Sequence, residues 1–340
     1  MRQCLFACIL AMLSLLLPAC DVHEFPEPPV PPVELSLNLK FTFGLGMLVD
    51  FKTVYVETRA AVPEYEARYQ LRIHPADGKG GFLMDSCQAY VFSQSQLEAL
   101  DYRLPLEIVP GQYRFRAWVD FVEQGSLEDA FYDTTHFNEI TLREPHVGGT
   151  DYRDAFRGTL DGEVLPAEVS QEQELHIVME RPMAKYRFIA TDLKEFEELR
   201  LREADKNGDL TSPPPSIDLS RYKVRISYEG FYPTVYSLAT DEPIDVRTGV
   251  NFSLQPREIG DEEVDLGIDY VFIGQQESGV NVSLSIYDEA GKLVAGVSGI
   301  EVPLRRGLLT TVRGKFLTAR SEGDVSIDPS FDGEFNVAVP

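Results

Sequence analysis

Leu35-Ser36-Leu37-Asn38-Leu39-Lys40-Phe41-Thr42-Phe43 alternates apolar and polar residues without a slip. Successive side chains of a strand point to opposite faces, so the Leu and Phe set shares one side. That side would meet a core and the other would meet solvent. The same period of two recurs at Tyr69–Ile73, Tyr113–Val119, Leu175–Met179, Tyr186–Ile189, Tyr222–Tyr228 and Val282–Tyr287. Turn residues bound these runs: Pro110-Gly111 precedes the strand holding Trp118, and Gly291 follows Tyr287-Asp288. Many short strands with such punctuation predict an all-β chain of antiparallel sandwiches. Helical text is sparse. Ser93–Leu100 fits one short helix, and Asp192–Leu199 has an Asp at the N-cap position with apolar residues three apart.

Upstream of the deciding strand the pattern changes. Arg2 supplies a positive start, and Leu5 to Leu17 is an apolar run suited to an export signal. The run is too short to span a bilayer, which takes about 20 apolar residues. It ends Leu17-Pro18-Ala19-Cys20, which resembles a bacterial lipobox. Residues 1–19 are therefore expected to be a signal peptide and Cys20 a lipidated N-terminus. Two or more acyl chains give stable anchoring where one does not. The competing expectation, an ordinary secretory cut, leaves Cys20 without a role. Phe25-Pro26-Glu27-Pro28-Pro29-Val30-Pro31-Pro32 comes next, with five prolines in eight residues. Proline favours extended polyproline II, so residues 20–33 read as a semi-rigid tether.

Length after the signal suggests two domains, expected at 34–181 and 182–340. The formal net charge is −24, which repels nucleic acid and anionic membrane surfaces. Cys4 and Cys8 leave with the signal, and only Cys87 accompanies Cys20. No disulfide framework is expected, and Cys87 reads as a small buried hydrophobe.

Motifs for chemistry are few. His23, His74, His136, His146 and His176 make no HxxxH or HxH pair. His136 and His146 flank an expected strand and could meet in space, although strand-edge or surface positions are the simpler expectation. Asp205-Lys206-Asn207-Gly208-Asp209 departs from the calcium-loop template, with glycine fourth, two places early, and Ser216 where the closing glutamate belongs. Asp261-Glu262-Glu263 with Asp265 could hold a divalent ion or stand as a solvated charge run. GxSxG, P-loop and GxGxxG patterns are missing. No cofactor, metal or enzymatic activity is expected. Asn251-Phe252-Ser253 and Asn281-Val282-Ser283 match an N-glycosylation pattern but lie in strand-like text.

Further stretches carry a resemblance. They are Leu106–Phe121, Ala130–Thr134, Asp151–Gly158, Met179–Tyr186, Val302–Arg306, Phe316–Thr318 and Asp328–Gly333. With the lipobox, the chain resembles a fimbrillin-like lipoprotein of Bacteroides-type bacteria, in a domain-of-unknown-function branch related to fimbrial tip and anchor subunits. That resemblance implies two tandem transthyretin-like β-sandwiches on the outer membrane. It implies polymerisation by strand donation, in which cleavage after an arginine frees an N-terminal strand. Arg59, in Val56-Glu57-Thr58-Arg59-Ala60-Ala61, is the candidate position. It also implies O-glycosylation of Asp-Thr/Ser-X motifs, which Asp133-Thr134-Thr135 fits at Thr134.

The function expected is a lipid-anchored surface subunit for pilus assembly, anchoring or cell adhesion. Its partners would be outer-membrane lipid through Cys20, other fimbrial subunits and a host or bacterial surface ligand. The alternative is a carbohydrate-binding accessory lipoprotein of a glycan-uptake system, which would need exposed aromatics; Trp118, in an alternating strand, reads as core. A secreted hydrolase is a third reading without a motif to support it.

Overall fold

The computed structural model describes residues 30–41, 64–94, 101–169, 173–206, 217–260, 262–319, 330–331 and 334–339. Strands dominate it. A three-stranded sheet, β4 (Asp101–Ile108), β1 (Val33–Phe41) and β9 (Gln173–Met179) in that order, faces a four-stranded one. The latter runs β3 (Gln88–Gln94), β2 (Tyr65–Pro75), β5 (Gly111–Glu123), β8 (Phe156–Val164). Leu35, Leu37 and Leu39 enter the core between them, with Tyr69, Leu71, Phe115, Phe121, Phe156, Ile177 and Met179. The alternation of β1 thus does what its period requires.

The second sandwich opposes a six-stranded sheet to a four-stranded one. The first runs β15 (Arg257–Glu258), β16 (Val264–Phe272), β10 (Met183–Ala190), β19 (Leu309–Gly314), β21 (Glu334–Val339), β20 (Ser330–Phe331). The other runs β14 (Asn251–Leu254), β11 (Lys223–Tyr228), β17 (Ser278–Tyr287), β18 (Leu293–Leu304). Gly267 in β16 has φ +132°, a backbone conformation that favours glycine, and a Cβ there would press on the Leu254 methyls of the facing sheet at 2.8 Å. Most pairings are antiparallel, but β1–β9, β10–β19 and β19–β21 are parallel.

A fifth sheet joins the halves. β6 (Tyr132–Asp133) and β7 (Glu139–Leu142) leave the first half after β5 and pair with β12 (Tyr232–Ser237) and β13 (Glu242–Arg247). Trp118, Phe131, Tyr132, Phe137, Ile140, Leu142 and Ala155 consequently pack into the second core. This excursion also covers the polar face of β2 and β5. Arg68, Gln70, Arg116 and Asp120 would meet water in a simple sandwich, and all four are buried here.

One α-helix, α1 (Leu193–Lys206), is found among the described residues. Asp192 stands before it, and its carbonyl accepts from Phe196 N. Its carboxylate is used elsewhere, accepting from Leu317 N and Thr318 N at 3.2 and 2.8 Å. The expected helix at Ser93–Leu100 is not formed at its start, because Ser93 pairs with Arg68 inside β3; residues 95–100 lie outside those described. Cys87 is exposed rather than buried. It sits just before β3, an edge strand of its sheet. No helix among the described residues is long and apolar enough to cross a membrane.

Candidate functional site: an enclosed strand and a charged junction

β1 has a neighbour on each side. Leu35, Leu37 and Leu39 lie opposite Leu106, Leu104 and Tyr102 of β4, and beside Gln173, Leu175 and Ile177 of β9. Val33, Leu35, Leu37 and Leu39 are at most 7 % exposed. The outward residues form a polar surface: Arg103 Nε donates to Ser36 Oγ, and Asn38 Nδ2 donates to a Glu174 carboxylate oxygen. An open groove of about 500 Å³ crosses this face between Glu34, Ser36, Arg103, Glu107 and Gln173. The next described strand after β1 is β2, and the intervening residues include Arg59.

The junction between the halves is built on carboxylates. A short 3-10 turn at Asp151–Arg153, capped by Thr150, aims Arg153 at Asp269 of β16. Asp269 also accepts from His146 Nε2 at 2.8 Å and from Tyr228 Oη at 2.5 Å. Tyr228 and Tyr186 share a hydrogen bond of 2.7 Å, and Tyr232 Oη donates to the Tyr270 carbonyl at 2.9 Å. Burial alone would raise the Asp269 carboxyl; Arg153, His146 and Tyr228 outweigh it and hold the group below its ordinary value. For His146, burial and then the Arg153 charge push the imidazole down, against the pull of Asp269. The Tyr228 phenol is raised well above its usual range by burial and by Asp269, which removes it as a nucleophile near neutral pH. A pocket of about 240 Å³ between Phe131, Leu142, Pro145 and Val147 leads to His146 and Arg153.

Three further knots lie alongside. Arg181 Nε and Nη2 donate to Asp154 at 2.7–2.9 Å, with both side chains enclosed and the guanidinium 4.8 Å above the Phe156 ring. Asp241 receives Arg157, Arg306 and Tyr236 Oη, the last two at 2.7 and 2.6 Å. Lys185 Nζ and Tyr270 Oη both donate to Asp151 Oδ1, at 2.5 and 2.7 Å. The Asp241 and Asp151 knots tie residues 151–157 to residues beyond 182. Such pairs fix one geometry more than they add net stability, because desolvation offsets much of their attraction.

Of the sequence-derived sites, Cys20 and Arg59 lie outside the described residues. Thr134 is described and is 7 % exposed. Its hydroxyl donates to Asp129 Oδ1 and accepts from Gln70 Nε2, both at 2.9 Å. His136 is exposed, while His146 is drawn to Asp269. In the acidic group, Glu262 pairs with Lys194, Glu263 with Arg313 and Asp265 with Arg187, so these carboxylates diverge to separate cations; Asp261 lies outside the described residues. In the Asp205–Asp209 stretch, Asp205 and Lys206 end α1, and residues 207–209 lie outside those described. Trp118 is fully enclosed and meets Tyr132 edge-on. The junction set His146, Arg153 and Asp269 was missed by sequence reasoning. Its one signal was the Asp151–Gly158 block, which holds Arg153, Asp154 and Arg157.

A family of unknown function, DUF6562, matches residues 32–340 of the chain. No curated protein matches it. Among solved structures it is similar to a candidate adhesin from Bacteroides thetaiotaomicron, at 12% identity and TM-score 0.43, covering 80% of this chain and 82% of that one. It is similar to a candidate polysaccharide-binding protein of the same organism, at 16% identity and TM-score 0.44, covering 77% and 78%. The fimbrial anchor protein Mfa2 from Porphyromonas gingivalis is similar at 13% identity and TM-score 0.36, covering 77% and 81%.

Proposed function

This chain belongs to the family of unknown function DUF6562, and we propose that it serves as a lipid-anchored cell-surface subunit in fimbrial assembly, anchoring or adhesion. The seating of β1 carries this reading. A strand with a partner on each side, filling a core with alternate side chains, is what strand exchange needs. Removing β1 would leave two unpaired edges, β4 and β9, over an open core. Each of its buried Leu or Val side chains contributes about 1.5–3 kcal/mol, so an emptied groove would favour refilling. A cut after Arg59 would leave β1 held without a covalent link to β2 and the later strands.

The remaining parts fit the same role. Cys20 would hold the lipid, residues 20–33 would act as the tether, and 34–181 and 182–340 would be the two domains. A glycan on Thr134 would have to be added before folding encloses its hydroxyl. Partners would be outer-membrane lipid, other subunits through strand donation and a surface ligand. The glycan-binding alternative gains no stacking platform from Trp118, which is enclosed.

The test is strand exchange. The purified chain and its Arg59→Ala variant are treated with an arginine-specific protease, then mixed with labelled peptide Val33–Phe41. We expect the cut wild type to take up peptide and release its own strand, read by mass spectrometry, and the variant to do neither. No uptake by correctly cut protein would sink the assembly role. A companion Cys20→Ala variant should leave the outer membrane for the soluble fraction; unchanged membrane retention would remove the lipid anchor from the reading.

A further inference from the structure

On the face of β2 and β5 turned away from the first core, opposite residues run Arg68–Asp120, Gln70–Trp118, Arg72–Arg116 and His74–Arg114. The first pair is bidentate, at 2.9 and 2.6 Å, and Asp129 adds a second carboxylate to Arg68 at 2.8 Å. Four residues along, the same ladder sets guanidinium opposite guanidinium. Like charges directly opposite one another on a sheet destabilise it. The row through Arg72 and Arg116 continues to Ala89 on β3 and Thr159 on β8. It therefore crosses the whole sheet with two cations and no carboxylate. Arg114 has a partner of its own, Asp161, at 2.6 and 2.7 Å.

The donors of this row are poorly used. Arg116 is 4 % exposed; its Nη1 donates to Asn138 Oδ1, and its Nε has no partner among the described residues. Arg72 lies 4.7 Å over the Phe137 ring, and its Nη1 reaches the Leu71 carbonyl only at 3.4 Å. His74 is 2 % exposed, with Nδ1 3.3 Å from the Leu83 carbonyl and Nε2 without a partner among the described residues. Burial, and then Arg116, Arg114 and Arg72, hold this imidazole below its ordinary value. Burial and Arg114 likewise lower Arg116. A chain of net charge −24 has carboxylates to spare, yet none of them stands in this row.

We propose that Arg72, Arg116 and His74 form a binding site for a small oxyanion: a carboxylate, sulfate or phosphate group. The planar guanidinium forks would supply paired N–H donors to its oxygens, and the anion would relieve the repulsion across the row. The site is distinct from β1 and from the junction, and it does not depend on the assembly role.

Calorimetric and thermal titrations of the full chain with sulfate, phosphate and acetate, at ionic strength fixed with chloride, test this. At least one of the three is expected to bind saturably and raise the melting temperature. Arg72→Gln, at a half-buried position, should weaken that binding about tenfold or more, the size of one lost charge-assisted contact. Thr159→Glu, at an exposed position of the same row, should supply the missing carboxylate from within. It should melt higher than wild type and lose the response to added anion. No binding by any of the three anions, or equal binding by wild type and both variants, overturns the proposal.

Discussion

The two cores are closed in different ways. The first draws on residues 33–179 alone. The second takes seven residues from the first half, Trp118, Phe131, Tyr132, Phe137, Ile140, Leu142 and Ala155, and adds the His146–Arg153–Asp269 network at its edge. Dependence therefore runs one way. The first sandwich is completed by a strand that chain order places first, whereas the second is completed by an excursion from its neighbour. No β1 residue enters the second core, so exchange of that strand would leave the second half intact.

The largest break in this comparison would come from separation. A fragment of residues 182–340 loses all seven borrowed side chains and the partners of Asp269 on the first half. It should show no cooperative thermal transition and little near-UV circular dichroism, while a fragment beginning at residue 111 should recover part of both. Cooperative unfolding of 182–340 by itself would show that the borrowing is dispensable. A smaller effect is expected from Asp269→Asn, which leaves Arg153 buried without its counter-charge. Breaking a buried pair in this way costs about 3–5 kcal/mol, measurable by urea unfolding. A loss below about 1 kcal/mol would mean that water or another acceptor replaces the carboxylate.

The smallest effect is acid sensitivity. His146 at the junction and His74 in the first half are both held below the ordinary histidine value, chiefly by burial. Unfolding lets each take up a proton near pH 6.5 that it refuses when folded. Stability is therefore intact above about pH 6.5 and declines as pH falls toward the folded values, by at most about 1.4 kcal/mol per pH unit for each histidine. His146→Gln should flatten the slope of second-half unfolding between about pH 7 and 5 and leave the His74 contribution in place. An unchanged slope would assign the sensitivity elsewhere.

Much of the first core was legible in its alternation. Leu35, Leu37 and Leu39 are where a period of two puts them. The same alternation puts Gln70 and Arg116 on the opposite face, but it carries no information on what covers that face. Residues 124–142 cover it, and they read as turns and short runs. Cys87 is exposed because it precedes an edge strand instead of lying within one. The junction was illegible for a different reason. His146 meets Asp269 from 123 residues away, and no spacing rule reaches that far. Asp192 was placed correctly before a helix, yet its carboxylate binds the chain at Leu317–Thr318, a contact that local pattern does not encode.

The double pairing of β1 has a mechanical consequence. Its ladders run antiparallel to β4 and parallel to β9, with hydrogen bonds lying across the strand rather than along it. Tension entering at Val33 and directed along the strand would load both ladders in shear. Their bonds would then have to give way together, instead of opening one at a time from an end as in peeling. A membrane attachment upstream of Val33 would thus pull on the first sandwich in the direction in which β1 is hardest to extract.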